Sequence, residues 1–426
     1  MQSSLKKHLN QGMYFLPYFI LMIFSVLFTV NVPYFDDWTE WLNRHEIFQN
    51  HWSLKEIWLR NGPHYFPLTR ILLTLFGKFE LGPKTLILFN DLLTFSFLWI
   101  FQKIIKKETL EQNHWFENFL LGSFLLSFCQ REVFFFSFNF HFVFIVFLLY
   151  SLQKAIQKNQ FFISIILISL GIWTFSAWLM MVPCLLFFLV DPYFRKNKLK
   201  VISLLVSVLV FISIGAHLYI QKSPDVPQNI PFIFPLSFLR ILGSPFAITG
   251  GQYQWTILHV LAISGGLCFV FFFVYFLIHF FKEKKYSQLK LLALPLFSIL
   301  ISAMMAYGRG ESLDYIGAAS RFTALVIPGW AILFYFLQQK KKTHALATLC
   351  LVVAFGNHMV NLGAEAFIRS PKLTQLQITL QNGAKRNSYL PKEIELIHRF
   401  HWNPEEMNQC LQKILTKKEQ YSFFYE

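Results

Sequence analysis

The sequence predicts an all-α polytopic membrane protein, and three observations lead to that fold class. Of 426 residues, 55% are hydrophobic and only 14% are charged, a balance that one soluble core does not accommodate. Apolar runs of about 14 to 25 residues recur along the whole chain, and a membrane-spanning helix needs about 20. Stretches such as FFISIILISLGIW are apolar on every face, whereas strands of a membrane barrel alternate in polarity, so the spans are predicted to be helices.

Hydropathy places about eleven spanning helices along the chain. They are predicted at residues 13–32, 83–102, 116–130, 133–152, 160–174, 177–190, 201–220, 255–281, 289–306, 321–338 and 343–362. Basic clusters lie between these runs, and the positive-inside rule assigns them to the cytoplasm. The N-terminus is therefore predicted inside and the C-terminus outside, with the first span retained as an anchor.

The formal net charge of +15 does not indicate a nucleic-acid-binding protein, because the basic residues occur in short clusters that act as topology signals. The clusters are Lys6 and Lys7; Lys103, Lys106 and Lys107; Lys154 and Lys158; Arg195, Lys196, Lys198 and Lys200; Lys282, Lys284 and Lys285; and Lys340, Lys341 and Lys342. Membrane lipids are thus expected partners and nucleic acid is not.

Residues 66–79, FPLTRILLTLFGKF, are apolar but only about fourteen residues long, which is short for a span. Counting them as a span would place Lys103 outside, so an interfacial or re-entrant helix is predicted, with a short true span as the alternative. The predicted organisation is a transmembrane domain at 1–362, which includes a first external loop at 33–82, and an external tail at 363–426.

The first external loop begins with the stretch VPYFDDWTEW, which places Asp36 and Asp37 directly behind the first span. A carboxylate at the edge of a membrane can accept a proton from a hydroxyl nucleophile if its surroundings raise its pKa. The alternative is a structural role, because Asp before a helical run is a favoured N-cap.

A second charged pair, Arg131 and Glu132, lies between two apolar runs with almost no loop to solvate it. Ionisable groups so close to hydrocarbon are costly unless they are paired or face a cavity, which makes them candidates for function. A mutual ion pair at a helix turn is the structural alternative. Asn139 and His141 follow within two helical turns and are expected to face the same cavity, although His141 can equally be a packed core residue.

Two further positions carry charge near or within predicted spans. Arg321 stands at the beginning of the span 321–338, where it could bind a phosphate from the headgroup layer or extend towards water. Glu311, in the loop before it, is expected to line the acceptor side of the cavity. Asp91 lies inside the span 83–102, and with Asn90 beside it a helix–helix hydrogen bond is the favoured interpretation.

The order of these features resembles the C-type superfamily of membrane glycosyltransferases, which includes protein O-mannosyltransferases and the lipid A aminoarabinose transferase. In that family an acidic residue follows the first span, and a proline-led apolar helix leads to a short Gly-containing link. The similar stretches here are YFDDW, HYFPLTRILLTLFGKFELG, the span that ends in QKIIKK, and CQREV in the next external loop. The resemblance covers residues 13–190.

The resemblance implies a polyprenyl-phosphate-linked sugar as donor and a hydroxyl acceptor on a glycan, lipid or protein. In this interpretation Asp36 or Asp37 is the catalytic base, and Glu132 matches the second acidic site of the family in place and type. Transfer would occur on the outer face of a bacterial cytoplasmic membrane.

The sequence departs from the aminoarabinose-type members at the donor phosphate. Those members have a Lys before the proline, where this chain has His64 in the stretch HYFP. The predicted phosphate contacts are therefore His64, Arg70, Arg131 and Arg321. No metal or other cofactor is predicted, because the histidines of the first loop lack a recognised ligand spacing, and no Gly-rich nucleotide-binding loop is evident.

Two other classes of protein stay open as alternatives. An O-antigen polymerase or ligase is also many-spanning and lipid-linked, but such proteins carry their chemistry in a large external loop late in the chain. A lipid-linked sugar transporter or flippase would show charges inside spans and helices broken by Gly or Pro in matching halves. Only Asp91 fits that description in the sequence.

Overall fold

Long apolar helices dominate the computed structural model, which describes residues 2–32, 57–58, 60–61, 64–79, 81–105, 114–174, 176–220, 230–246, 256–308, 320–399 and 404–416. In these ranges, seven helices are long and apolar enough to cross a membrane. They are His8–Phe28, Pro83–Ile104, Phe140–Gln157, Lys198–Gly215, Val260–Lys282, Tyr286–Tyr307 and Lys341–Arg386. The predicted class, a helical membrane protein, is confirmed at this level.

Eighteen α-helices are labelled here in chain order over the described residues. They are α1 (Gln2–Phe28), α2 (Pro67–Lys78), α3 (Pro83–Ile104), α4 (Trp115–Leu125), α5 (Arg131–Phe135), α6 (Phe140–Gln157), α7 (Phe161–Gly171), α8 (Pro192–Lys196), α9 (Lys198–Ile220), α10 (Ile230–Leu242), α11 (Thr256–Lys282), α12 (Tyr286–Leu291), α13 (Ala293–Gly308), α14 (Ser320–Gln338), α15 (Lys341–Ala364), α16 (Ser370–Arg386), α17 (Pro391–His398) and α18 (Pro404–Thr416).

The seven helices account for seven of the predicted spans; of the other four, three fall on elements of 11 to 15 residues and one falls on α14, which has 19 residues. The predicted span 116–130 contains α4 of 11 residues, and 160–174 contains α7 of 11 residues. The span 177–190 is a 3₁₀ helix, Ser176–Val190, and 321–338 is α14. At 1.5 Å per residue, α4 and α7 are each about 16 Å long, about half the hydrocarbon thickness of a bilayer.

Two predicted spans, 116–130 and 133–152, have wrong boundaries, because the first helix ends earlier than predicted and the second begins later. The first helix ends at Leu125 and the next begins at Phe140. Between them the chain forms two 3₁₀ turns, Phe128–Gln130 and Ser137–Asn139, on either side of the five-residue α5. Membrane proteins tolerate irregular backbone between helices where the surrounding protein buries it. Most of this segment is buried.

Helix α1 packs closely on α4 and antiparallel to α3. A Cβ atom on Gly122 would lie 2.2 Å from the Tyr14 carbonyl oxygen, so only glycine allows the backbones of α1 and α4 to approach in this way. The Tyr14 hydroxyl donates to the Leu98 carbonyl at 3.0 Å. At the other end of α3, the Lys84 amide donates to Asn31 Oδ1 at 3.1 Å, which fixes the register of the two helices.

Contacts between helix ends gather the predicted cytoplasmic segments at one end of the bundle. The Lys154 ammonium at the end of α6 donates to the Lys103 carbonyl at the end of α3. Near the beginning of α1, the Asn118 amide donates to the Asn10 carbonyl at 3.1 Å. Since α1 and α3 are antiparallel, the beginning of α1 and the end of α3 lie at the same level.

Helix α15 begins at this same end of the bundle. His344 Nε2 lies 2.6 Å from Glu117 Oε1, and His344 Nδ1 lies 2.9 Å from the Gln338 carbonyl. A carbonyl oxygen and a carboxylate can only accept hydrogen bonds, so an imidazole that carries both protons satisfies both contacts. The charged pair joins α15 to α4.

A cluster of hydrogen-bonded polar side chains surrounds Asp191, which is the N-cap of α8. Lys290 Nζ lies 2.7 Å from Asp191 Oδ2 and 2.6 Å from Asn159 Oδ1, and Asn159 Nδ2 donates to the same Asp191 oxygen at 2.7 Å. The Tyr193 amide donates to Asp191 Oδ1 at 2.9 Å. Partial burial acts to raise the pKa of Asp191, but hydrogen bonds from Lys290 and Asn159 outweigh it and lower the pKa to about 2.

This pKa makes part of the stability acid-sensitive. A carboxyl group whose folded pKa is depressed stabilises the fold above its unfolded pKa, and this contribution is lost as the pH falls through the folded value. We expect up to about 2 kcal/mol from Asp191 at neutral pH, lost between about pH 4 and pH 2. Melting of the detergent-purified protein across this range measures it, and Asp191→Asn should lack this component of the pH dependence. An identical acid profile for both proteins would contradict the assignment.

Residues 230–246, which hydropathy does not assign to a span, form α10 and a 3₁₀ turn, Ser244–Phe246, that contact α14. Helix α10 ends at Leu242, whose carbonyl accepts a hydrogen bond from Trp330 Nε1 at 2.9 Å. The Thr323 hydroxyl donates to Ser244 Oγ at 3.0 Å. Trp330 lies about 15 Å along α14 from its beginning, so α10 reaches well into the bundle.

Residues 66–79 form helix α2, of 12 residues, which is about 18 Å long and therefore shorter than the hydrocarbon layer. Directly before it, Arg60–Asn61 and His64–Tyr65 pair as a two-residue antiparallel hairpin. This hairpin was not among the elements predicted for the first external loop. Whether α2 lies on the membrane or enters it stays a prediction.

The predicted domain boundary at residue 362 falls within a continuous helix. Helix α15 runs into a π-helical turn, Glu365–Arg369, and then into α16. Together they form a helix of 46 residues, Lys341–Arg386, about 69 Å long. The C-terminal segment therefore continues the last span as a rigid extension, and its external location stays a prediction.

Candidate functional site

The end of α1 meets the broken segment 126–139 and the C-terminal helix. The Phe24 ring contacts the rings of Phe128 and Phe135, with centroids 5.0 and 5.7 Å apart. The Ser370 hydroxyl donates to the Phe28 carbonyl at 2.8 Å. Helix α1 therefore ends beside the place where segments 128–135 and 365–370 come together, and the first loop follows it in the sequence.

A buried charge cluster lies at this junction and joins Glu365 to two arginines. Arg369 Nη1 contacts both carboxylate oxygens of Glu365, at 2.9 and 3.0 Å. Arg131 Nε lies 4.0 Å from Glu365 Oε2, which Arg369 also contacts. The Glu365 side chain is only 3% exposed, and those of Arg131 and Arg369 are 11% and 12% exposed. All three side chains are largely withdrawn from water.

Amide groups extend the cluster along α15. Arg131 Nη1 donates to Asn361 Oδ1 at 3.1 Å, and Asn361 Nδ2 donates to the Asn357 carbonyl at 2.8 Å. One turn from Asn361, His358 Nδ1 accepts the Phe128 amide at 3.0 Å. Side chains one turn apart on α15 therefore hold both the backbone and the arginine of the broken segment.

Arg369 also faces the broken segment itself. Its guanidinium lies 4.2 Å from the centre of the Phe136 ring, and Nη2 lies 3.5 Å from the Phe135 carbonyl. In the same segment, Asn139 Nδ2 donates to the Glu132 carbonyl at 2.8 Å. Two of the predicted site residues, Asn139 and Glu132, are thus in contact through the backbone carbonyl of Glu132.

Helix α2 contributes a second set of side chains to this region, in addition to the buried charge cluster. Arg70 is fully buried, and its Nη1 donates to the Ile57 carbonyl at 3.2 Å. The Phe66 ring contacts the imidazole of His141, with centroids 4.4 Å apart. The Leu68 amide donates to the Trp173 carbonyl at 2.8 Å, which anchors α2 to the segment after α7.

The beginning of α14 reaches the same region. The buried Phe322 ring lies 6.1 Å from the Phe142 ring, and Phe142 is the next residue after His141. Arg321 directly precedes Phe322. Five separate parts of the chain therefore approach one another at this end of the bundle, which we call the junction: residues 24–32, 66–70, 128–142, 320–322 and 358–370.

The junction brings together some of the predicted site residues. Arg131, Glu132, Asn139 and His141 lie within the segment 128–142, and Arg70 lies in the neighbouring α2. For His64 and Arg321 the structure describes the backbone and not the side chain. Asp36, Asp37 and Glu311 lie outside the described residues, so their roles stay predictions.

Sequence reasoning missed Asn361 because it lies inside the predicted span 343–362, and it missed Glu365 and Arg369 because it assigned residues after 362 to a polar tail. The spacing of these residues, four and four, places them on one face of a helix and was the signal available. The π turn that contains Glu365 and Arg369 is a second feature of interest, because π turns inside α-helices occur frequently at functional sites.

Within the described ranges, no three His, Cys, Asp or Glu side chains gather closely enough to hold a metal ion. The polar atoms of the junction are amides, guanidiniums and one buried carboxylate, a set suited to holding an anionic or hydroxylated ligand rather than a metal.

No family model, curated protein or solved structure matches the chain. The class that the fold defines is an integral membrane protein built from α-helices. A specific function is therefore argued from the junction alone.

Proposed function

We propose that the protein is a membrane glycosyltransferase that moves a sugar from a polyprenyl-phosphate donor to a hydroxyl acceptor at the junction. The observation that carries this proposal is the buried group of Arg131, Glu365 and Arg369 beside the end of α1. It places guanidinium groups where the first loop, with its paired carboxylates, begins.

The proposed base belongs to the first external loop. Asp36 follows Val32, the last described residue of the first segment, by four residues. Val32 ends the segment 24–32 of the junction, so the proposed base follows the junction directly in the sequence.

Donor recognition in this proposal relies on arginine. The phosphate of a lipid-linked sugar lies at the edge of the hydrocarbon layer, where an uncompensated negative charge is costly. Guanidinium groups bind phosphate with paired hydrogen bonds and stay charged when buried. Arg131 and Arg369 are the proposed contacts, Glu365 orients both, and Arg70, Arg321 and His64 are further candidates.

The proposed reaction balances without a cofactor. The acceptor hydroxyl oxygen forms a bond to the anomeric carbon of the sugar as the bond from that carbon to the phosphate oxygen breaks. Polyprenyl phosphate leaves with the electron pair of that bond on its phosphate oxygen, and the arginines stabilise the charge that develops there. The hydroxyl proton passes to the carboxylate of Asp36.

Proteoliposomes that contain the purified protein and a polyprenyl-phosphate sugar test the proposal. We expect release of polyprenyl phosphate that requires both the protein and a hydroxyl acceptor. Arg131→Ala should lower donor use about ten- to a hundredfold, the loss expected for a charge-assisted hydrogen bond of roughly 1.5–3 kcal/mol. Arg399→Ala, in an exposed pair with Glu395, is the control. Absence of transfer across a range of donor sugars and acceptors would contradict the proposal.

A second candidate, a transporter of lipid-linked sugars, is favoured by two features of the bundle. The segment 126–139 is a broken helix, and α10 is a half-length helix that reaches into the bundle. Interrupted helices are typical of transporter binding sites. Movement of a labelled lipid-linked sugar between leaflets without chemical change would favour this candidate.

The membrane orientation is proposed with the N-terminus inside and the junction outside, since the contacts among Lys103, Lys154, Asn10 and Asn118 link the predicted cytoplasmic segments. Reporters fused near Lys158 and Lys341 should lie in the cytoplasm. A reporter fused after Glu426 should lie outside. A cytoplasmic reporter at Glu426 would place the junction on the inner face and contradict the proposed orientation.

A further inference from the structure

Two clusters of lysines that are far apart in the sequence lie together at one end of the bundle. The first begins at the last residue of α11, and the second lies where α14 turns into α15. Their members are Lys282, Lys284 and Lys285 in the first cluster, and Lys340, Lys341 and Lys342 in the second. Lys340 Nζ donates to the Tyr275 hydroxyl oxygen at 3.0 Å, and it lies 4.8 Å from the centre of the Tyr275 ring and 5.3 Å from that of Phe276. The second cluster is therefore held against the last two turns of α11.

The surface formed by the two clusters is strongly positive. Over residues 282–285 and 340–342, six lysines accompany one acidic residue, Glu283. The exposed lysines are Lys282, Lys284, Lys285, Lys341 and Lys342. One carboxylate oxygen of Glu283 contacts Lys285, and the other lies 3.2 Å from His279 Nδ1. The hydrogen bond from Lys285 does most to lower the pKa of Glu283, and the charge of Lys340 adds to this effect, so the two clusters share one electrostatic environment.

An exposed apolar face of α11 leads directly to these lysines. Residues at intervals of three and four lie on one face of a helix. The exposed apolar residues at such intervals are Leu267, Phe271, Val274, Tyr275, Ile278 and Phe281. The rings of Phe271, Tyr275 and His279 stack along this face, with centroids 6.5 and 5.8 Å apart. The face therefore changes from apolar side chains to ammonium groups within the last two turns of the helix.

One lysine from each cluster is placed to bind the same group beside Tyr275. Lys282 follows Tyr275 by seven residues, so two helical turns put it on the same face. Long side chains on a helix are directed back towards its N-terminus, which for Lys282 is the direction of Tyr275. Lys340 already lies over the Tyr275 ring. A phosphate at this place can accept hydrogen bonds from both ammonium groups and from the Tyr275 hydroxyl.

We propose that the end of α11 and the turn from α14 to α15 bind one anionic phospholipid. Its phosphate lies between Lys282, Lys340 and the Tyr275 hydroxyl, and an acyl chain lies along the exposed apolar face of α11. Basic side chains beside spanning helices attract anionic headgroups, whereas a zwitterionic headgroup brings no net charge. This inference is independent of the proposed transferase activity, because the site lies where α15 begins, at the opposite end of the bundle from the junction.

Thermal melting of the purified full chain in detergent tests the lipid site. The melting temperature is followed by intrinsic tryptophan fluorescence while phosphatidylglycerol or phosphatidylcholine with the same acyl chains is added to the micelles at increasing mole fraction. A ligand that binds only the folded state raises the melting temperature in a concentration-dependent way. We expect a clear rise with phosphatidylglycerol and a much smaller one with phosphatidylcholine.

Two single variants test the two halves of the site. Lys340→Gln and Lys282→Gln should each raise the amount of phosphatidylglycerol needed for a given rise about fivefold, which corresponds to about 1 kcal/mol for one lysine near an anionic surface. Lys198→Gln is the matched control, because Lys198 is an exposed lysine of the basic cluster 195–200, at the beginning of α9. This control should respond like the unaltered protein.

The outcomes separate the lipid site from its alternatives. Equal responses to the two lipids would overturn the proposal. Equal losses in Lys198→Gln and Lys340→Gln would show diffuse attraction to all surface lysines and would also overturn it. The same rise with inorganic phosphate alone would replace the lipid with a free anion. Tyr275→Phe keeps the ring and removes the hydroxyl, so an unchanged response in both Tyr275→Phe and Lys282→Gln would refute the placement even if Lys340→Gln does not fold.

Discussion

Replacement of Asp36 by Asn is expected to abolish sugar transfer while the protein accumulates at its normal level. Asn has nearly the same shape as Asp but cannot accept the acceptor proton, and a positioned general base contributes about 10²- to 10⁴-fold to a rate. The measurement is release of polyprenyl phosphate in proteoliposomes with matched amounts of protein. Donor binding should change little, because the arginines of the junction are unaltered.

Asp37→Asn is the matched control, one residue away and with the same change of charge. Asp37 is the better candidate for capping a helix that follows, and Asn also caps, so we expect a loss of about 1 kcal/mol or less in stability and retained transfer. Reversed results would make Asp37 the base. Full activity in both variants would refute the transferase mechanism.

Replacement of Arg369 by Ala is expected to destabilise the protein far more than replacement of Arg399 by Ala. Both arginines pair with a glutamate four residues earlier on a helix, Glu365 and Glu395, at 2.9 and 2.8 Å. The first pair is almost buried, whereas the second is about two-thirds exposed. The two pairs have the same spacing and the same side-chain types, and they differ in burial and in the further contacts of Arg369 with Phe135 and Phe136.

The expected cost for Arg369→Ala is about 3–5 kcal/mol, because it removes one partner from a buried carboxylate. For Arg399→Ala it is about 0–1 kcal/mol, the usual range for an exposed ion pair. Chemical denaturation in mixed micelles, followed by tryptophan fluorescence, measures the difference. Equal effects would show that the Glu365 carboxylate is compensated by other groups.

The helices of the bundle were largely predictable because their signals are local. Apolar runs bounded by Lys or Arg, as in α3 with Lys103, define both the length of a helix and the end that faces the cytoplasm. Helix α2 was predictable in the same way, since Pro67 begins it and its apolar stretch is short. For these two helices, the length of the apolar run together with the flanking Lys103 or the leading Pro67 was enough to predict the helix.

The broken segment 126–139 was only partly predictable from hydropathy. Its polar residues cluster around Arg131 and Glu132, so hydropathy predicts one break at 131–132 between two spans and does not predict the series of short turns from 126 to 139. The breaks are held by distant partners, such as the bond from the Phe128 amide to His358, 230 residues away in the sequence. Contacts of this range are set by tertiary packing.

The charge cluster at the candidate site was also only partly predictable from the sequence. Arg131 was recognised from its cost near hydrocarbon, but its partner Asn361 lies 230 residues further along the chain. Glu365 and Arg369 were overlooked because the rise in polarity after residue 362 resembles the end of a span. The structure continues the helix there, and so brings the polar face of α15 and the π turn against the segment 128–135.

Two charged attachments of the helix Lys341–Arg386 are separated by about the thickness of a bilayer. It is attached near one end by His344 to Glu117 and, 21 residues later, by Glu365 to Arg131. At 1.5 Å per residue these charged attachments are about 31 Å apart, close to the hydrocarbon thickness of a typical bilayer. A thicker membrane would pull one attachment into lipid, and a thinner one would force the helix to tilt or the lipids to stretch. We therefore expect the charged attachment at the junction to respond to the acyl-chain length of the host membrane.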